Sequence, residues 1–185
     1  MSKANQILAV IRRSFCNIDA VTLPILFKSL VRPHLEYGNV IWGPFSRGDQ
    51  QSVERVQRRA TRLVPELRDV AYPDRLRNPQ LPSLYYRRRR GDMIKVFQLI
   101  HGLIHINSAH LLVPHTDNRT RGHPYKLVVP CATTRPRRNS FSVRVVKDWN
   151  GLPLDVVTSA YLSQFKGRLD KHWANMMYTM PVEDG

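Results

Sequence analysis

Hydrophobic side chains recur at helical spacing along the first part of the chain. Ile7, Ile11 and Phe15 lie four residues apart, which predicts a first helix with one apolar stripe. Pro33 lies inside the next apolar pattern and should kink or split that helix, because proline has no backbone N–H. This second pattern is formed by Leu23, Phe27, Leu30, His34, Tyr37 and Ile41.

Four further helices follow from the same spacing rule. A third is predicted over about residues 49–64, and a fourth begins after Ser83, whose hydroxyl can cap it. A fifth and a sixth are expected near residues 141–149 and 162–173. The apolar positions that define these four helices are Val53, Val56, Ala60 and Leu63; Met93, Phe97, Ile100 and Ile104; Phe141, Val145 and Trp149; and Leu162, Phe165, Leu169 and Trp173.

Together the patterns predict a mainly α fold, a bundle of about five to six helices with a small irregular or β-containing C-terminal part. Residues 125–129 are the candidate short strand, and residues 135–140 are expected to be a mobile basic stretch. Turn-forming residues concentrate in 105–124, so we predict a helical region over 1–104, a linker over 105–124 and a small mixed region over 125–185. A single continuous helical domain is the alternative. His34, Tyr37, Trp42 and Trp149 are expected in the core.

Composition adds a strong basic character. The 185 residues carry a formal net charge of +15, and 22 of the 29 basic residues are Arg. Arg contacts phosphate through two parallel hydrogen bonds and stacks on bases, so the bias favours a nucleic-acid partner, although a ribosome-like or membrane-surface partner also fits the charge. Two Cys cannot make a disulfide framework, and no apolar run approaches the ~20 residues of a membrane span. We therefore expect an intracellular protein.

The positive charge is concentrated in two stretches. Residues 47–90 hold 12 Arg against five acidic residues, and residues 118–147 hold six Arg and two Lys with no acid. The candidate contacts to a nucleic-acid backbone form two sets, of which the second is the weaker. They are Arg55, Arg58, Arg59, Arg62, Arg87, Arg88, Arg89 and Arg90 in the first, and Arg135, Arg137 and Arg138 in the second. The alternative is a solvated helix face, and four consecutive Arg must also place some side chains against the protein itself.

The motifs of catalysis are missing from the sequence. Two-metal polymerases need paired carboxylates, yet the 10 Asp and 4 Glu include no Asp-Asp pair. There is no Gly-rich phosphate loop and no Gly-x-Ser-x-Gly. His101 and His105 have the spacing of metal ligands on a helix but lack a third ligand of tight spacing, so a pair of amphipathic His is the preferred interpretation. We predict no cofactor, no metal site, no small-molecule substrate and no independent enzyme.

A series of short motifs, in order over residues 3–173, resembles one family. The motifs are residues 3–5 and 11–15, 30–37 (LVRPHLEY) with Trp42 and Pro44, 53–61 (VERVQRRAT), 81–84, 87–94 (RRRRGDMI), 120–123, 125–127, 145–146, 149–153 (WNGLP) and 165–166. The chain resembles the segment after the catalytic palm in LINE-type, non-LTR retrotransposon reverse transcriptases of the jockey and chicken-repeat kinds. Arg89 departs from this pattern, since the family often has Leu there.

The resemblance implies a role as well as an origin. In that family the fingers and palm precede this segment and hold the catalytic aspartates, so the chain is expected to be a truncated element or a partial gene product. The segment acts as a thumb that grips the template-primer duplex through its backbone, without reading sequence. RNA or an RNA–DNA hybrid is therefore the expected partner, and target-primed integration implies the nucleus. A helical module that docks on a missing palm, or a relic without function, is the alternative.

Overall fold

The computed structural model describes residues 2–44, 46–104, 111–115 and 123–180, and over these ranges the chain is helical with no β-strand. This confirms the mainly α fold with an irregular C-terminal part. The α-helices are α1 (Ser2–Ser14), α2 (Thr22–Leu26), α3 (Pro33–Glu36), α4 (Arg47–Thr61), α5 (Tyr72–Arg77), α6 (Leu84–Ile100), α7 (Arg135–Arg138), α8 (Phe141–Asn150), α9 (Leu154–Val157) and α10 (Leu162–His172). A π-helical turn spans Phe27–Val31, and 3-10 turns span Pro65–Leu67 and Ala174–Met176.

The longest helices begin at polar caps. Ser83 Oγ accepts the backbone N–H of Tyr86 at 3.1 Å, so the predicted cap of α6 is confirmed. Ser46 Oγ accepts the backbone N–H of Asp49 at 3.0 Å and starts α4 in the same way. Such contacts satisfy N–H groups that the first helical turn leaves without a partner. The chain therefore fixes the start of the two helices that carry most of the candidate arginines.

Pro33 splits the second predicted helix, as expected. The backbone N–H of Arg32 donates to Phe27 O, five residues back, at 2.8 Å, and α3 begins at Pro33 itself. The wider π-helical turn accommodates a proline that can neither donate a hydrogen bond nor lie against the carbonyl four residues back. α3 then ends at Glu36. The prediction that Tyr37 and Ile41 continue a buried stripe is wrong, because their exposed fractions are 88% and 92%.

Of the four residues that we expected in the core, one is buried and three are exposed. Trp149 is fully buried, which confirms its placement. His34, Tyr37 and Trp42 are exposed, and their assignment to the core is wrong. Tyr37 and Trp42 lie beyond the end of α3 and no longer follow its 3.6-residue period, whereas His34 lies on the exposed face of α3.

Two compact units make up the structure. The first, unit 1, comprises Met1–Gly38, Ser46–Arg88 and Asn175–Gly185, and the second, unit 2, comprises Asn39–Phe45 and Arg89–Ala174. The predicted division into 1–104, 105–124 and 125–185 stays a prediction, because most of the linker lies outside the described residues. Each unit has its own apolar core and is considered separately below.

The core of unit 1 is built by α1, α2, the π-helical turn and α4. Its buried side chains include Leu8, Ile11, Leu23, Phe27, Val53, Val56, Ala60, Leu76 and Leu84. Residues near the C terminus complete it: the backbone N–H of Ser83 donates to Met177 O at 2.9 Å, and Tyr178 packs against the cluster. Unit 1 is therefore assembled from three separate stretches of the chain.

The core of unit 2 is built by the second half of α6 with α8, α9 and α10. Phe97 stacks on Phe165 with ring centroids 4.3 Å apart, and Trp149 lies beside them. Arg144 holds the N-terminal stretch of this unit, since its guanidinium donates to both oxygens of Asp92 and to Asn39 O and Val40 O, at 2.9–3.1 Å. The carboxylate of Asp92 is thus paired with an arginine of α8.

The predicted strand at residues 125–129 does not form. Leu127 makes one isolated antiparallel bridge with Pro114, and the Asn150 side chain bonds the backbone of Leu127 in both directions, at 2.9 and 2.8 Å. The Asn150 amide thus satisfies the backbone N–H and C=O of Leu127 on the edge opposite the bridge. None of the helices over the described ranges is long and apolar enough to cross a bilayer.

The protonation state of the buried His123 should affect the stability of unit 2. Its Nε2 lies 3.1 Å from Trp149 O, while Nδ1 is buried with no hydrogen-bond partner among the described residues. Burial lowers the pKa of His123 below 6.5. The unfolded chain therefore binds this proton at higher pH than the folded chain. The contribution of neutral His123 to the free energy of unfolding is complete above pH ~6.5 and is lost as pH falls.

We expect replacement of His123 by Gln to reduce the loss of stability on acidification, because Gln stays neutral and can still donate to Trp149 O. Urea unfolding at pH 7.5 and at about pH 5.5 measures this. Replacement of His34, which is exposed, by Gln is the matched control and should leave the wild-type pH dependence. An equally steep acid loss in the His123 variant would contradict the assignment.

Candidate nucleic-acid interface

α4 separates apolar and basic residues onto different faces. Val53, Val56 and Ala60 are buried in the core of unit 1. The intervening positions carry the predicted arginines, and all four are exposed: Arg55, Arg58, Arg59 and Arg62. This arrangement follows from the 3.6-residue period, which turns every third or fourth side chain toward the core. The structure therefore presents this part of the predicted site to solvent.

A cleft of about 670 Å³ lies beside this basic face, within unit 1. Its lining combines residues of α1 and α4 with the segment that follows α4. They are Asn5, Leu8, Ala9, Arg12, Arg59, Arg62, Leu63, Arg68 and Asp69. We call this the arginine cleft. Four arginines, one aspartate and the apolar residues Leu8, Ala9 and Leu63 are among the residues that line it.

Two of these arginines were not predicted. Arg12 lies on the last turn of α1, and Arg68 follows the 3-10 turn after α4. Arg68 Nε donates to Arg62 O at 3.4 Å, and Arg59 Nη1 donates to Asn5 Oδ1 at 3.1 Å, so backbone and side-chain oxygens orient both groups. Sequence spacing along one helix could not find a site whose residues come from three segments. A planar guanidinium held in this way is suited to bidentate contact with a phosphate.

A second group of arginines surrounds Tyr72 at the start of α5. The guanidinium carbon of Arg58 lies 4.7 Å from the ring centroid, and that of Arg75 lies 5.5 Å from it. Arg75 is buried, with an exposed fraction of 5%. Its Nε and Nη1 have no hydrogen-bond partner in the described structure. Burial and the nearby Arg62 and Arg58 lower the pKa of Arg75.

Glu54 anchors Tyr72 from inside the unit. The Tyr72 hydroxyl donates to Glu54 Oε1 at 2.6 Å, and the backbone N–H groups of Leu84 and Tyr85 donate to the same carboxylate at 3.3 Å. Burial raises the pKa of Glu54, although these hydrogen bonds oppose the shift. Burial and Glu54 also raise the pKa of Tyr72. Glu54 thus ties α4, α5 and the start of α6 together and fixes the ring on which the two arginines lie.

The arginine run of α6 is held by carboxylates of the protein. In unit 1, Arg87 makes a bidentate pair with Glu36, and Arg88 is buried where it acts electrostatically on Glu54. In unit 2, Arg89 pairs with Asp148 at 2.5 and 2.8 Å, and Arg90 pairs with Asp170 at 2.5 and 2.8 Å. Successive residues of a helix point about 100° apart, which is why four neighbours reach different partners.

These pairs change which candidates can serve a ligand. A guanidinium already bonded to a carboxylate has fewer donors left for phosphate, and its ion pair must be broken or shared before it binds one. Arg87, Arg88, Arg89 and Arg90 therefore have a clear structural role in the fold. Of the exposed arginines, Arg59 and Arg62 line the arginine cleft. Within unit 1, neither Arg87 nor Arg88 is among its lining residues.

The second predicted set lies on α7, in unit 2. Arg135, Arg137 and Arg138 are exposed and form one helical turn. The expectation that residues 135–140 are mobile stays a prediction. Arg138 Nε donates to Ala132 O at 3.1 Å, which fixes that side chain. No acidic residue occurs between residues 118 and 147. This set stays a prediction as a weaker basic surface.

The histidine with the spacing of a metal ligand takes part in packing within unit 2. His101 stacks on Phe97 at 4.1 Å and lies 3.3 Å from Val157 O, while His105 falls outside the described residues. No group of three or more His, Cys, Asp or Glu able to hold a metal occurs in the part of the chain that the structure describes. Tyr86 is buried, so its ring cannot stack on a base.

Comparison with known proteins finds no relative of this chain. No protein-family model, no curated protein and no solved structure matches the chain. The resemblance to LINE-type reverse transcriptases therefore stays a prediction from the sequence motifs, and the functional conclusions that follow are drawn from the charge and placement of the residues themselves.

Proposed function

We propose that this protein is a catalytically empty, nucleic-acid-binding fragment of a LINE-type retrotransposon reverse transcriptase, which binds the phosphate backbone of an RNA template or RNA–DNA hybrid. The observation that supports this most directly is the arginine cleft of unit 1. Arg12, Arg59, Arg62 and Arg68 line it with only Asp69 as an acid. Such an excess of guanidinium groups is typical of sites for phosphate.

The form of the site favours a backbone over individual bases. The surface arginines Arg55, Arg58 and Arg62 recur along one helix, so their charges follow a line, as the phosphates of a strand do. Contacts of this kind fix position on a duplex and carry no sequence information. We therefore propose binding that depends strongly on salt and little on sequence.

The proposal includes no reaction. RNA-directed DNA polymerase activity belongs to the resembled family, and the paired aspartates that it requires have no counterpart among the acidic residues of this sequence. The proposal accordingly assigns neither a cofactor nor a small-molecule substrate. It places the protein inside the cell, in the nucleus, where target-primed integration of the resembled elements occurs.

A second candidate function is docking on a reverse transcriptase palm domain. Apolar side chains on α1, α2 and the π-helical turn are exposed, among them Val10, Val21, Ile25 and Leu30. Exposed apolar residues on the first two helical segments are what a module taken from a larger protein would present. This candidate needs no nucleic acid, so a binding measurement separates the two.

Affinity for a labelled RNA–DNA hybrid across a salt series tests the proposal, with circular dichroism to establish that the chain is folded. We expect tight binding at low salt and a plot of log K against log salt that falls steeply, because each neutralised phosphate contributes about −0.9 to the slope on a B-form duplex and about −0.7 on a single strand. Competition by a hybrid of unrelated sequence should be equally effective. A folded, helical chain that binds no hybrid at low salt would leave the docking candidate.

A further inference from the structure

The buried arginine of α5 lacks the anion that its environment calls for. Within the described part of the chain no carboxylate forms an ion pair with Arg75, and its Nε and Nη1 are buried without a hydrogen-bond partner. Its neighbours on the same helix differ, since the exposed Arg77 pairs with Asp74 at 2.6 Å. Of these two arginines, the buried one is thus the one without a counterion, and burying an unpaired charge is costly.

The surroundings of Arg75 increase this imbalance. Arg58 and Arg75 both lie over the ring of Tyr72, and Arg62 and Arg58 are close enough to lower the pKa of Arg75. Two guanidinium groups therefore lie over one aromatic ring, and that of Arg62 is near Arg75. The hydroxyl of Tyr72 is directed to Glu54, so the carboxylate is occupied by Tyr72 and by the N–H groups that begin α6.

A bound polyatomic oxyanion would accept hydrogen bonds from the unsatisfied donors of Arg75 and would also neutralise the positive charge around it. Buried unsatisfied donors in native proteins usually indicate an ion or water that belongs at the site. A tetrahedral phosphate offers several acceptor oxygens and up to two negative charges, which suits converging forks of Arg donors better than a halide does. The Arg cluster also includes Arg62, which lines the arginine cleft, so a phosphate here would be continuous with a strand bound there.

We propose that Arg58 and Arg75, which lie over the Tyr72 ring, form a specific phosphate subsite together with Arg62 of the arginine cleft. This rests on the proposed function, since the phosphate of highest local concentration would be one of the bound nucleic-acid backbone; free inorganic phosphate shares the same chemistry. The subsite makes Arg75 the residue that distinguishes one phosphate position from the diffuse attraction of the exposed arginines.

Thermal unfolding of the full chain in phosphate and in chloride, at matched pH and ionic strength, tests the subsite. Phosphate stabilises most proteins slightly by exclusion from their surfaces, so the comparison is between variants. We expect the wild-type chain to gain about 2–4 °C more in Tm from phosphate than the variants Arg75→Met and Arg75→Lys. Lys keeps the charge but loses the fork, so it also separates geometry from charge. Arg77→Gln, an exposed position on the same helix, should respond as the wild type does.

Hybrid affinity of the same proteins identifies the source of the phosphate. A loss of about 10-fold in Arg75→Lys, with Arg77→Gln unchanged, would support a subsite for a backbone phosphate. A phosphate response confined to proteins with Arg75, in a chain that binds no hybrid, would support a free-phosphate site and would refute the proposed function alone. Equal responses of wild type and both Arg75 variants, in Tm and in hybrid affinity, would overturn the subsite.

Discussion

Replacement of Arg58, Arg59 and Arg62 by Ala is expected to weaken binding of an RNA–DNA hybrid by about 100-fold at ~0.1 M salt and to flatten the salt dependence by about two to three units of slope. The physical reason is that all three are exposed on α4, with Arg59 and Arg62 in the arginine cleft and Arg58 on Tyr72. Fluorescence anisotropy across a salt series gives affinity and slope together.

The control for this variant removes the same charge elsewhere. Replacement of Lys147, Lys166 and Lys171 by Ala lowers the net charge of +15 by the same three units, but on α8 and α10 of unit 2. We expect at most a small loss of affinity from it. Equal losses in the two triple variants would mean that net charge alone drives binding and would contradict a localised site. A third triple variant at Arg135, Arg137 and Arg138 measures the contribution of α7.

Replacement of Trp149 by Ala is expected to lower the free energy of unfolding by about 3–5 kcal/mol. The indole is fully buried between Phe165 and His123, with ring centroids 6.1 and 6.0 Å away. Its Nε1 also donates to Tyr125 O at 2.7 Å, so the variant leaves a cavity and a carbonyl without its donor. Urea unfolding followed by circular dichroism measures the loss.

Trp42 provides the matched control for this second prediction. It belongs to the same unit but has an exposed fraction of 51%. Its replacement by Ala should change the free energy of unfolding by no more than about 0.5 kcal/mol, as surface substitutions usually do. If both variants lost the same stability, Trp149 would not be the centre of the core of unit 2.

The sequence predicts helices well where apolar residues repeat at the helical period. α4 and α6 have long apolar stripes, are capped by Ser46 and Ser83, and lie close to their predicted positions. The exposed arginines follow directly, because the 3.6-residue period places them on the helix face that points away from Val53, Val56 and Ala60. Local spacing is sufficient here, since neither result depends on a distant part of the chain.

The spacing of residues along the chain could not predict which residues distant in sequence pair with each other. The run at Arg87–Arg90 suggested one basic surface, but its partners Asp148 and Asp170 are 59 and 80 residues away. Arg75 gave no signal at all, because its burial depends on packing around Tyr72 and Glu54. The same limit applies to Tyr37 and Ile41, whose apolar character continued a period that α3 had already ended.

The composition of unit 1 from three stretches of chain has a consequence for biosynthesis. Ser83 bonds to Met177 and Thr179, and the second of these contacts spans 96 residues. A ribosome makes the chain from its N terminus, so α1 to α5 are complete long before Tyr178 can cover their core. The residues of unit 2 emerge in between. Unit 1 therefore waits with an incomplete core during translation, and a chaperone or a bound polyanion has its longest opportunity to act there.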